Sequence, residues 1–158
     1  MPIKLLLAGL LLVAPRRQVE KAIVSAPANR LEMKPAPINP DWIIDGNPQA
    51  RVGDHSRSDD EAGTTAVWEC TAGTFRWYFG WDETVVIQEG AVEVTGEDGE
   101  RRLLTAGDIA YFKGGTWATW RIERYVRKIA FLRKPFPEPL ATLYQLRNAL
   151  RAGQRRGL

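Results

Sequence analysis

The chain has 158 residues, 44% of them hydrophobic, with six Trp, five Phe and four Tyr, which is apolar material for one sizeable core and too little length for two full domains. Its formal net charge of +3 gathers at the ends, in Arg16, Arg17 and Lys21 ahead of the body and Arg147, Arg151, Arg155 and Arg156 behind it, while acids and bases balance between Asp41 and Arg133. That distribution argues against nucleic acid as a partner, which needs Lys and Arg clustered on the folded body. The lone Cys70 excludes an intrachain disulfide and a cysteine-built zinc site.

Met1 to Ala14 has the charged start and apolar run of a secretory signal, and the run is shorter than the about 20 apolar residues that a membrane-crossing helix needs. Arg16-Arg17 and Glu20-Lys21 follow at once, and the nearest small-x-small site, Ala26-Pro27-Ala28, is distant and contains a proline. A cytoplasmic protein with no membrane span is expected, export being the alternative. Residues 1–24 read as a helix broken at Pro15, and Pro27, Pro35, Pro37 and Pro40 make the next stretch an extended arm.

From Asp41 the pattern changes: Trp42-Ile43-Ile44 is a short apolar strand, Gly46-Asn47-Pro48 a turn, and residues 53–64, with no apolar periodicity, a surface loop. Eight strands follow, at about 65–71, 74–79, 83–89, 91–96, 101–105, 109–113, 116–122 and 125–133, with no helix between them. Such a run predicts an all-β antiparallel barrel or sandwich. Asp98-Gly99, between Val94 and Leu103, has the composition of a type I′ hairpin turn. Beyond Pro135 and Pro137, Leu140, Leu143, Tyr144, Leu146 and Leu150 form a helical stripe over 138–152, stopped by Gly153.

Glu83 is followed seven residues later by Gly90, and Gly107-Asp108 opens a strand pair that ends at Gly114-Gly115. With Val67 to Gly73, Phe75-Arg76-Trp77, Trp120 and Val126-Arg127-Lys128, these residues resemble the two motifs of the cupin superfamily, and among its members the small single-domain cupins related to ureidoglycine aminohydrolase. The resemblance implies a jelly-roll cupin barrel over 40–134, an N-terminal extension over 1–39 and a C-terminal helical tail over 135–158. It also implies a homodimer, with the extended Leu31-Glu32-Met33 laid across the partner's sheet.

In that family the glutamate is joined by two histidines before it and a third in the second motif, all binding a metal. Here the first two positions are Arg76 and Tyr78 at one spacing or Trp77 and Phe79 at the other, and Ala118 or Thr119 stands in place of the third. A transition-metal site needs three or four converging donors. Glu83, even with Tyr78, falls short, so no cofactor is expected, a divalent Mn, Fe, Ni or Zn ion being the alternative.

The resemblance points Glu83 into the barrel, where it suits acid/base work or the grip of a cationic group. Lys128 alternates with Val126, Ala130 and Leu132, and Arg127 alternates with Tyr125, Ile129 and Phe131, so alternation alone leaves the inner face open. An inward Lys128 needs a partner, and Glu83 or Glu69 would serve. Glu69, between Trp68 and Cys70, has the same ambiguity of face. Tyr78, Trp77, Glu69, Tyr111 and Trp120 are the candidate ligand-lining residues, and Glu83 and Lys128 the catalytic candidates. His55 reads as a solvated loop residue and Cys70 as a packed thiol.

The function expected is the binding of a small polar metabolite, carboxylated or nitrogen-rich, by a metal-free or weakly metal-binding cupin. One alternative is an enzyme of ureidoglycine aminohydrolase-like type, with Glu83 as acid/base or sole carboxylate ligand of a metal. The other is a protein-interaction module built on the two tails.

Overall fold

The structure of the protein, a computed structural model, describes residues 22–155; the signal-like segment and most of the helix expected over 1–24 lie outside them. The strands are β1 (Lys34–Pro35), β2 (Ile43–Gly46), β3 (Ala50–Arg57), β4 (Gly63–Phe79), β5 (Asp82–Gly96), β6 (Arg101–Thr105), β7 (Ile109–Phe112) and β8 (Thr116–Arg133), and a helix, α1 (Glu138–Arg155), follows them. They form one sheet in the order β1-β3-β4-β8-β5-β6, with β2 added on β4 and β7 on β5. Every pairing is antiparallel.

Three pairs of strands read as separate are single long strands. β4, β5 and β8 each run through the expected breaks because the chain bends at a bulge instead of turning: register shifts fall at Thr71/Gly73, at Ile87/Glu89 and at Gly90/Glu93. Bulges bend a strand and add twist, which is what closing a barrel requires. Gly90 makes one bend possible, since its φ is +73° and a Cβ there would lie 2.0 Å from the Tyr125 carbonyl oxygen.

Three further expectations are corrected. Residues 53–57 belong to β3, which pairs with β4 from Ala50↔Cys70 to Arg57↔Thr64, so the surface loop is confined to the short turn that follows. The Asp98-Gly99 turn is not type I′: only Gly99 has positive φ (+80°), and Gly99 N–H donates to the Gly96 carbonyl at 3.0 Å. It is the longer hairpin loop in which an ordinary turn is followed by a left-handed glycine. The N-terminal arm lies on its own sheet, where Lys34 and Pro35 pair with Val52 and Arg51 of β3, and so covers that edge within the chain.

The barrel interior is aromatic. Phe75, Phe79 and Trp120 are fully buried, Trp68 nearly so, and Trp42, Trp77 and Phe112 pack against them. Phe79 and Phe112 stack at 4.4 Å, and Trp68 meets Trp120 edge-on at 5.9 Å. In β4 the five residues Ala66 to Cys70 are all buried because the arm covers the outer face as the core covers the inner one. The apolar stripe of α1 is exposed at Leu140, Leu143, Tyr144 and Leu146, with the Phe136 ring tilted against Tyr144 at 5.8 Å. No helix among the described residues is long and apolar enough to cross a membrane.

Candidate functional site

The register decides the faces that alternation left open. Trp68 of β4 stands opposite Lys128 of β8, and Glu69 opposite Arg127, so Lys128 shares the inner face with Trp68 and Cys70 while Glu69 and Arg127 share the outer one. Glu83 of β5 pairs with Leu132, four residues along β8 from Lys128 and in phase with it. The lysine stem runs along the wall, and Nζ donates to Glu83 Oε1 at 2.6 Å. Both side chains are almost completely buried, at 4% and 8% exposure.

Two indoles complete the setting. Lys128 Nζ lies 4.4 Å from the ring centroid of Trp120 and 4.9 Å from that of Trp68, so the ammonium is held by a carboxylate and two π faces. The Nε1–H groups of Trp68 and Trp120 are buried and have no acceptor among the described residues. An unpaired buried donor costs on the order of 1–3 kcal/mol, which the packing of these rings must offset. Cys70 is fully buried nearby, and desolvation pushes its thiol up to about 12, so it is a packing group and not a nucleophile.

Glu83 also lines a cleft of about 250 Å³ at the end of the barrel, shaped by the Gly80-Trp81 turn between β4 and β5, by Trp77, Tyr78 and Phe79, and by Leu132. Trp77 and Trp120 belong to the interior cluster, and Tyr78, half-exposed, stands at the rim with its ring 5.1 Å from Trp117. Trp81 and Leu132 complete the cleft, and Trp68 the lysine cage. Trp68 was traceable in the sequence as the residue that alternates in phase with Cys70. Nothing in the sequence brings Leu132 to Glu83 except the register of β5 on β8.

Two candidates fall elsewhere. Tyr111 of β7 is 61% exposed, on a cleft at the β5–β6 hairpin. It pairs with Thr84, whose neighbour Glu83 points inward, so it faces out. Glu69 is buried under the N-terminal arm, where Tyr125 Oη donates to it at 2.8 Å, Arg127 Nη1 at 2.8 Å and Arg51 Nε at 2.8 Å. Burial would raise its pKa, but the Tyr125 and Arg51 hydrogen bonds and the charges of Arg51 and Arg127 outweigh that and hold it below the usual carboxylate range. Arg127 Nη2 donates in turn to the Ala28 carbonyl at 2.8 Å, so this cluster ties the arm to the sheet. His55 lies on β3, half-buried with Nδ1 2.9 Å from Ser56 Oγ, and not in a solvated loop.

An antiparallel bowl whose inward side chains meet as a charged pair among aromatic rings is a small-barrel protein with a buried ion pair. Residues 57–130 match a family model described as an EutQ-like cupin domain. Among solved structures, a protein of unknown function of the DUF861 family from Pseudomonas syringae shares 23% identity over 66% of this chain, with a TM-score of 0.61, and this chain spans only 45% of it. A predicted oxalate decarboxylase from Thermotoga maritima superposes with a TM-score of 0.55 at 10% identity, covering 72% of this chain and 99% of that one. A DUF861 family protein from the same organism is 39% identical over 40% of this chain and 73% of its own, with a TM-score of 0.39. A comparison with curated proteins returned no match. Residues 57–130 thus match a cupin domain, and the fold is a cupin β-barrel.

The metal that the resemblance implies does not suit these residues. At the histidine positions the inward groups are Trp77 and Phe79 in the first motif and Ala118 in the second, all without donors toward a metal, while Arg76 and Tyr78 face outward. Among the described residues no three His, Cys, Asp or Glu side chains converge. The carboxylate that would serve is bonded to an ammonium at 2.6 Å, which would repel a divalent cation placed beside it.

Proposed function

We propose that this cupin binds a small polar metabolite, carboxylated or nitrogen-rich, in the cleft that Glu83 lines, by a route that does not rely on a transition metal. The observation that carries the reading is the buried Lys128–Glu83 pair, which occupies the barrel where metal ligands would otherwise converge. Buried charges of this kind are costly and cluster at functional sites. The aromatic lining with a single carboxylate has the make-up of a small-molecule pocket. A ligand screen by thermal shift, joined to elemental analysis of the purified protein, tests it. Saturable stabilisation by a small metabolite without stoichiometric metal is expected, and near-stoichiometric manganese, iron, nickel or zinc would overturn the metal-free part.

The 2.6 Å contact also favours a second reading, an enzyme in which Glu83 exchanges a proton with substrate and Lys128 stabilises developing negative charge. Turnover by the wild type that is lost in Glu83→Gln would establish it.

Homodimerisation belongs to the same proposal. On the outer face Ile109 and Tyr111 of β7 and Phe131 of β8 are exposed, and the register joins them through Thr84 and Val86 of β5 into one apolar patch. Light scattering on the full chain is expected to give twice the monomer mass, and a monomer at micromolar concentration would refute it.

A further inference from the structure

The cleft at the β4–β5 turn has one charged lining side chain, Glu83, and no cationic one. Lys128 neutralises Oε1 from behind, enclosed by Trp68 and Trp120, and is not part of the lining. Glu83 itself lines the cleft, and Lys128 bonds only its Oε1. The remaining walls are the rings of Trp77, Tyr78, Phe79 and Trp81 with the Leu132 side chain.

The chemistry of such a wall is one-sided. Aromatic faces carry negative potential and attract cations, and a carboxylate oxygen accepts from N–H or O–H and repels another carboxylate. The protein already uses its own rings in this way near the site. Arg76 lies over Trp117 at 4.5 Å, Trp117 packs on Tyr78, and Lys134 Nζ sits 6.0 Å from the Trp81 centroid. The charged groups set over ring faces beside this cleft, Arg76 and Lys134, are both cations.

We infer that the cleft selects small organic cations and N–H-rich ligands, such as alkylammonium or guanidino groups, over carboxylates. The inference rests on the small-molecule reading above and narrows it to the nitrogen-rich class. Glu83 Oε2 would accept from the ligand's N–H, with Trp81 and Trp77 supplying π faces. Lys134, whose Nζ already lies 6.0 Å from the Trp81 ring centroid, is then a competitor for that ring and not a ligand contact.

The test is a titration of the full-length protein with tetramethylammonium, methylguanidinium and isobutyrate at matched ionic strength. It is followed by saturation-transfer NMR and tryptophan fluorescence, in the wild type, Trp81→Ala and Lys134→Ala. The two cations should bind saturably, at least about tenfold tighter than isobutyrate; Trp81→Ala should lose that binding, and Lys134→Ala should tighten it by about twofold or more. Isobutyrate binding as well as or better than the cations, or weakened by Lys134→Ala, overturns the selectivity and leaves the small-molecule reading standing. Cation binding unchanged in Trp81→Ala places it outside the cleft and also overturns the inference. If no probe of either charge binds to protein that circular dichroism shows to be folded, this inference and the function proposed above fall together.

Discussion

Replacing Lys128 by methionine keeps the length and most of the volume of the side chain but leaves the Glu83 carboxylate, 8% exposed, without its counter-ion. No other cation of the described residues is paired with Glu83, and Arg127 and Arg133 of the same strand face outward toward Glu69 and Asp82. Removing one member of a buried pair costs about 3–5 kcal/mol, a large share of the about 5–15 kcal/mol that holds a domain of this size together. Loss of the ammonium from between Trp68 and Trp120 removes two further cation–π contacts. Glu83→Met should cost a similar amount, because it strands the ammonium. The double variant Lys128→Met/Glu83→Met is different: two apolar groups of matching shape replace two desolvated charges, an exchange that is neutral to stabilising. Urea unfolding followed by far-ultraviolet circular dichroism gives the four stabilities. The expected pattern is two singles that each lose at least about 3 kcal/mol and a double more stable than either, with unchanged m values. Singles that each cost less than about 1 kcal/mol and add in the double would mean that the pair is solvated, and the account of the barrel interior would be wrong.

Gly90→Ala should destabilise by more than about 2 kcal/mol in the same assay, because its φ of +73° disfavours any side chain and the new Cβ would overlap the Tyr125 carbonyl oxygen at 2.0 Å; a neutral result would mean that β5 does not bend there. Glu69 has a folded-state pKa held below its unfolded value, so the stability it contributes is complete above the unfolded pKa of about 4.3 and is lost as pH falls through the lower folded value. Acid titration of stability should therefore show a steeper loss below about pH 4.5 in the wild type than in Glu69→Gln, and identical acid limbs would refute the cluster. Cys70, fully buried and with its thiol raised to about 12, should resist a thiol reagent at pH 8 in the native protein and react fully in urea; rapid native labelling would contradict the packing of β4 on β8.

How far the sequence carried depended on how local each feature was. The antiparallel barrel followed from short β-branched and aromatic runs with turn residues between them, and α1 from its stripe, because each signal is complete within a few residues. Continuity of β4, β5 and β8 did not, since a bulge at Gly73 or Gly90 and a turn both announce themselves as glycine. Residues 53–57 look like loop because the register of β3 on β4 shifts between Asp54 and Ser56, which breaks the two-residue alternation of a mostly polar run. The arm was expected on a partner and lies in cis, a choice between two edges of identical sequence that no pattern in one chain can make.

The same limit runs through the site. Lys128 and Glu69 both occupy strands on which either face was open, and one residue of register separates an interior pair from an exterior cluster. What the sequence did contain was a charge argument: an inward lysine requires an acid, and the chain offered Glu83 or Glu69. The register gives Glu83 to Lys128 and surrounds Glu69 with Arg51, Arg127 and Tyr125, so each carboxylate has its own cations and neither shares with the other. With Trp77, Phe79 and Ala118 at the positions the resemblance gives to imidazoles, the counter-charge beside the carboxylate at position 83 is the ammonium that reaches along β8. A histidine pair restored at 77 and 79 should create metal affinity only when Lys128 is also removed.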